Sequence, residues 1–292
     1  MKTDSDHTVS SVLASGTEQL RETGIADARL DAEVLLSEVL AKPRSFLYAS
    51  GSERISSQDA EWYGSLIQRR RQRCPVSYLT GKKEFWSLEF RVDRSVLIPR
   101  PETELLVEEV LAIWDPRFRF VMDAGTGSGN IAVVLAKELP DALVLATDIS
   151  DKALRIAHEN ARAHAVGRRI AFACSDLFSA FLPSVLSLKL DVLVSNPPYV
   201  AEGEFEALMP EVSGYEPKRA LVPGPTGLEC IERLLDESQS FFRPGGIVAL
   251  EIGHGQGENV RALMAASDFE PLKTRKDFQG IERVVLGKKR LY

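Results

Sequence analysis

Residues 121–132 read VMDAGTGSGNIA. An apolar run ends at Asp123, and Gly125, Gly127 and Gly129 follow at alternate positions before NIAVVLAKELP, which has the texture of a helix. Glycines between a strand and a helix let the backbone approach a ligand closely, and the helix N-terminus beyond them favours negative charge. Outward from this loop the chain alternates. FRFVMDAG, ALVLATD, RIAFACSD, LDVLVSN and GGIVALEI read as strands; NIAVVLAKELP, SDKALRIAHENARAHA and GLECIERLLDESQSFF read as helices. That alternation predicts βαβ units, a parallel sheet and an α/β fold.

The loop is not of the dinucleotide kind. A dinucleotide fingerprint has the form G-x-G-x-x-G, and position 130 is Asn130, so the third glycine is misplaced for a pyrophosphate. Asp123 also sits badly beside a phosphate and suits a cationic group such as an amino-acid ammonium. Asp148 ends the next strand, at the spacing where a carboxylate takes ribose hydroxyls. A ribose, an adenine and an amino acid with both charges describe S-adenosylmethionine. A glycine loop alone serves tight helix–strand packing equally well. Asp148 in register, and Asp176, Leu177 and Phe178 in CSDLF at the end of the third strand, favour the ligand.

The chain has 292 residues, 44% hydrophobic and 27% charged, as an ordinary globular protein does. A net charge of −6 argues against a global grip on nucleic acid and leaves room for a local basic patch. No apolar run approaches a membrane span, and the N-terminal stretch lacks a signal-peptide core. Cys74, Cys174 and Cys230 form no CxxC pair, which fits a reducing cytoplasm. His158 and His164 are six residues apart and share no helix face, so no metal site is expected. A monomer is expected.

Residues 8–74 read as helices only, with Gly24 as a C-cap and Ser56 or Ser57 starting the helix that ends in Arg69, Arg70, Arg71 and Arg73. The arginine run reads as a solvated terminus complementing the helix dipole, or else as a contact for an acidic partner. From Pro75 the alternation of Leu88, Phe90 and Val92 behind Phe85 and Trp86 predicts a β-hairpin rather than more helix. The expected organisation is a helical domain over 1–74, a β-hairpin linker over 75–98 and a catalytic domain over 99–292.

A second motif stands in DVLVSNPPYV, Asp191 to Val200. Proline cannot donate to a sheet ladder, so Pro197 and Pro198 must follow the strand, and Asn196 before them is held extended. The stiff turn presents an amide, two bare carbonyls and the phenol of Tyr199 at the edge of the sheet where ligands bind.

DAGTGSGNIA, ATDIS, CSDLF and VSNPPY in this order resemble the class I S-adenosylmethionine-dependent methyltransferases that act on planar nitrogens. PVSYLTGKKEFWSLEFRV, LIPRPETELLVE, YEPKRALVPGPTGLECI, RPGGIVALEIGHGQG and DFQGIERVVLG are similar to segments of the release-factor glutamine methyltransferases, the PrmC/HemK family. The resemblance runs from about Arg69 to Gly287; the first 68 residues share only helical character and length. It implies a Rossmann-like seven-stranded sheet ending in an antiparallel hairpin, and a helical domain that helps hold the substrate. That substrate is the glutamine of a Gly-Gly-Gln loop in class 1 peptide chain release factors. It further implies cofactor contacts at Asp123, Gly125, Thr126, Gly127, Ser128, Gly129, Asp148, Asp176, Leu177 and Asn196, with Leu177 where relatives often carry an aromatic against adenine. Phe85 and Pro99 would cover the cofactor, hairpin packing being the other reading of Phe85, and Arg100 and Glu102 would brace the linker as an ion pair.

The chemistry of the turn follows. An amide nitrogen shares its lone pair with its carbonyl and is a poor nucleophile, so its pair must be aimed at the methyl while its N–H bonds are pinned. Asn196 can accept one N–H through its side-chain oxygen and the Pro197 carbonyl the other, with Pro198 and Tyr199 shaping the face against which the amide lies. Asn196, Pro197 and Tyr199 are the candidate catalytic residues; with Pro198 they form the substrate-binding set. The turn holds no His, Cys or Lys, so no base is expected and the chemical step should be flat over about pH 6.5–8.5. An adenine-N6 DNA methyltransferase would use the same turn after base flipping, but the acidic pI near 5.5 and the lack of a basic recognition region argue against direct DNA binding. A cofactor-binding adaptor without catalysis is the remaining alternative.

Overall fold

The structure is a computed structural model that describes residues 7–182 and 190–290. The chain divides into two compact units, one of residues 1–81 with 209–215, the other of residues 82–208 with 216–292.

In chain order the first unit holds α1 (Val9–Glu22), α2 (Ala28–Leu40), α3 (Arg44–Ala49), α4 (Ser57–Arg71) and α5 (Val76–Thr80). Thr8 and Ser11 cap α1 reciprocally, and Ser56 caps α4 by accepting the Asp59 N–H. Gly24, at φ +69°, takes the left-handed position just past the end of α1. Leu13, Leu20, Leu35, Leu36, Leu66 and Ile67 form the core of this unit. A Cβ at Gly16 would stand 2.1 Å from the Tyr63 hydroxyl, so only glycine admits that ring between α1 and α4. The stretch after Pro75 begins with the helical turn α5, and the hairpin expected there starts only at Lys82. Pro75 at the N-cap removes a donor that a helix start does not need, which favours helix where alternation pointed to strand.

The arginine run is not a solvated helix end throughout. Arg70 is 8% exposed and its guanidinium spans the Asp31 carboxylate at 2.7 Å and Glu211 at 2.9 Å. Arg73 also reaches Glu211 and donates to the Thr23 carbonyl.

The second unit begins with the hairpin β1 (Lys82–Phe85) and β2 (Leu88–Arg91). It continues through α6 (Thr103–Ala112), β3 (Phe120–Ala124), α7 (Asn130–Glu138), β4 (Leu143–Asp148), α8 (Asp151–Ala163), β5 (Ile170–Cys174) and β6 (Leu190–Ser195). The short α9 (Pro210–Ser213) belongs to the first unit. The second unit resumes with α10 (Glu229–Ser238), β7 (Phe242–Glu251), α11 (Gly257–Ala266), β8 (Phe269–Lys276) and β9 (Glu282–Lys289).

Among the described residues, seven of its strands form one sheet, in the order β5-β4-β3-β6-β7-β9-β8, apart from the β1-β2 hairpin. All neighbours are parallel except those of β9, which is antiparallel to both β7 and β8, as the resemblance implied. Side chains alternate between the faces. Val121, Val192, Val194 and Ala249 pack with α6 and α7, while Met122, Leu193, Val248 and Leu250 pack with α10 and α11. Both faces are therefore covered, which is why the strands read as apolar runs.

Candidate active site

The strand order reverses at β3: β4 and β5 lie on one side of it, β6 and β7 on the other. Open α/β sheets bind ligands at such a switch point, beyond the carboxyl ends of the strands. The glycine loop leaves β3 there and the Asn-Pro-Pro-Tyr turn leaves β6 beside it, with Ser195 Oγ donating to the Ala124 carbonyl at 2.6 Å.

A cavity of about 830 Å³ opens at this edge. Gly125, Thr126, Gly127, Ser128, Asp148, Asp176, Leu177, Asn196, Pro198 and Pro99 all line it. Gly125 (φ +73°) and Gly127 (φ +56°) adopt conformations that disfavour other residues, and a Cβ at either would point into open space. The wall there is bare backbone. Gly129 differs: its Cβ would meet Ala157 Cβ at 2.9 Å, so this glycine lets α7 close on α8 and stands off the cavity wall.

Asp148 is fixed by two backbone donors, Gly127 N–H to Oδ2 at 2.9 Å and Ser150 N–H to Oδ1 at 2.8 Å. Burial pushes its carboxyl above the ordinary range, against those donors and the Arg219 charge. Each oxygen keeps a lone pair for a ligand hydroxyl. Asp123 is placed otherwise than expected. It is fully buried behind the loop, off the cavity wall, and its Oδ2 accepts from Thr126 Oγ1 at 2.6 Å and from the Ala132 N–H at 3.2 Å. Burial, with a smaller push from Asp148, raises it to about 7. Its Oδ1 has no partner among the described residues.

Asp176 pairs with Arg233 at 3.3 Å on the rim, and Leu177 lies in the left-handed region at φ +50°. The bare glycine wall, the hydroxyl-accepting edge of Asp148 and the apolar side chains of Leu177, Ile149 and Pro99 together fit S-adenosylmethionine.

On the other side of the cavity Asn196 Nδ2 donates to Thr103 Oγ1 at 3.1 Å, and Oδ1 has no partner among the described residues. Pro197 is buried and off the wall, with no described group donating to its carbonyl. Tyr199 also lies off the wall: its hydroxyl points to Glu251 Oε1 at 3.5 Å, and Gln256 holds its carbonyl at 2.9 Å. Phe85 is not a cofactor cover. It is 1% exposed, edge-on to Phe90 with ring centres 6.1 Å apart, inside the core beneath the hairpin. Arg100 does not brace Glu102; both Glu216 carboxylate oxygens take its Nη2 at 2.7 Å. Sequence reasoning missed Thr103, Arg219 and Cys230 on the cavity wall. Thr103 carried no signal beyond being the first residue of a helix.

Comparisons with known proteins agree with this architecture. The PrmC N-terminal domain family matches residues 11–81 and the methyltransferase small domain family matches residues 101–212. A release factor glutamine methyltransferase of Moorella thermoacetica is 40% identical, over 97% of this chain and 99% of its own. One of Clostridium acetobutylicum is 38% identical, over 92% of this chain and 94% of its own. Among solved structures a methyltransferase from Pyrococcus furiosus shares the fold at TM-score 0.53, 16% identity, 77% of this chain and 99% of its own.

Proposed function

Because the chain belongs to the release factor glutamine methyltransferase family, we propose that it moves a methyl group from S-adenosylmethionine to the glutamine side-chain amide in the Gly-Gly-Gln loop of class 1 release factors. The observation that carries this reading is the amide of Asn196, held against Thr103 on one side and open to the cavity on the other.

S-adenosylmethionine supplies an electrophilic methyl on a positively charged sulfur. Gly125 to Ser128 and Asp148 hold it, with Asp176 and Leu177 toward the adenine end. Asp123 and Gly129 shape the loop from behind, Asp123 by bracing Thr126 and Gly129 by admitting α8. Asn196 Oδ1 accepts one N–H of the substrate amide and a carbonyl of the prolyl turn, whose Pro198 lines the cavity, accepts the other, which turns the nitrogen lone pair outward. Pro198 and Tyr199 fix the turn that aims them. Positioning of this kind is the largest contribution such a site can make.

The helical domain, expected over residues 1–74, serves in this reading to hold the release factor, and residues 75–98 connect it to the catalytic domain over 99–292. Its match to the PrmC N-terminal domain supports that role. No helix among the described residues is long and apolar enough to cross a membrane, and the proposed setting is the cytoplasm, with the protein acting as a monomer. Adenine-N6 DNA methylation is disfavoured by the release-factor relatives and by the acidic composition. Methyl-labelled cofactor offered with a purified release factor, and separately with duplex DNA, tests the choice. Label must enter the protein; label in the DNA alone contradicts the proposal.

A further inference from the structure

The Asn196 amide can face its neighbour in two orientations of nearly the same shape. A hydroxyl beside it can accept from the nitrogen or donate to the oxygen, so the 3.1 Å contact with Thr103 does not by itself choose between them. The choice depends on where the Thr103 proton goes. Thr103 is 2% exposed, and behind it lies Glu251, the last residue of β7, also 2% exposed. The Tyr199 and Thr103 hydroxyls both face the Glu251 carboxyl.

We infer that Glu251, acting through Thr103, sets the direction of the Asn196 amide and is, with Thr103, a positioning residue for the methyl transfer; the inference rests on the function proposed above. An ionised carboxylate only accepts, so the Thr103 O–H donates to it. The Thr103 oxygen is then left to accept from Asn196 Nδ2, and Asn196 Oδ1 stays open to the substrate. A protonated Glu251 becomes a donor to Thr103, whose own proton swings to Asn196 Oδ1. The amide then reverses and offers N–H groups to a substrate that needs an acceptor.

The groups facing Glu251 come from every element packed on it: Thr103 from α6, Glu102 just before it, Tyr199 from the turn after β6 and Arg283 from β9. Burial, helped by Glu102, outweighs Thr103, Arg283 and Tyr199 and raises Glu251 to about 7. Its Oε2 has no partner among the described residues. The flat pH profile expected from the turn alone is thus replaced, because the ionisation sits behind the turn rather than in it.

The test is single-turnover methylation of a release factor at saturating cofactor over about pH 5.5–9, with cofactor affinity measured for each variant. Wild-type rates rise with pH about a midpoint near 7. Glu251→Gln and Thr103→Val each lower the rate about 10- to 100-fold, the scale of one misdirected hydrogen bond. Both leave cofactor affinity in place, and Glu251→Gln removes the midpoint. Thr103→Ser restores most of the rate. Normal rates in both altered proteins overturn the inference. So does a midpoint that persists in Glu251→Gln, which would belong to Asp123. If Glu251→Gln fails to bind cofactor, the Thr103→Val rate alone decides in the same sense. A wild type that leaves the factor unmethylated removes the proposed activity and this inference with it; normal wild-type transfer with unaffected variants removes the inference alone.

Discussion

The Gly127 N–H donates to Asp148 Oδ2 across 2.9 Å, which ties the glycine loop after β3 to the acidic end of β4. One carboxylate therefore fixes the bare wall of the cavity, and in the proposed function it presents its remaining lone pairs to a ribose. Asp148→Ala is expected to weaken S-adenosylmethionine binding by roughly 1.5–3 kcal/mol, the scale of hydrogen bonds to a charged group. Calorimetric titration checks it, and unchanged affinity would remove Asp148 from the cofactor site.

Asn196→Ala should keep the fold and most of the cofactor affinity while slowing methyl transfer by about 10²–10³, the usual loss on removing one preorganised polar group. The side chain contacts Thr103 and otherwise faces the cavity, so little packing is lost. A matching fall in cofactor affinity would point to a binding role instead.

In the helical unit Glu33, 1% exposed, opposes burial by accepting from Arg29, Arg44 and Tyr48, which together hold its carboxyl down at about 2. A carboxyl with a depressed folded pKa contributes stability above its unfolded value and loses it as pH falls through the folded one. The first unit should therefore lose stability between about pH 4.5 and 2. The shift corresponds to at most about 3 kcal/mol, and to less because Arg29 and Arg44 are half exposed and screened. Glu33→Gln should remove that part of the acid dependence. Acid titration followed by far-ultraviolet dichroism of both proteins would show it, and superimposable curves would contradict it.

The parts of this site that the sequence reveals are those whose residue types are forced. Glycine is favoured at the positive φ of Gly125 and Gly127, where backbone is bared to the cavity, and the prolines after Asn196 cannot continue the β6 ladder. The parts it conceals are settled by partners far along the chain. Arg70 looks like the solvated end of α4 until Glu211, 141 residues later, is seen against it. Arg100 has Glu102 as its obvious local partner and takes Glu216 instead, 116 residues away. Asp123 has the right charge for a ligand ammonium, but its place as the fourth residue of β3 buries it under the loop it braces. Glu251 reads as the polar end of an apolar strand, and only the packing of α6 against β7 gives it Thr103.

The central claim is most directly tested by incubating a class 1 release factor with the enzyme and S-adenosylmethionine and mapping the product by tandem mass spectrometry. The account predicts a single methyl group on the side-chain amide of the loop glutamine, absent without enzyme. A factor left unmodified, or a methyl placed on any other residue while that glutamine stays bare, would contradict it.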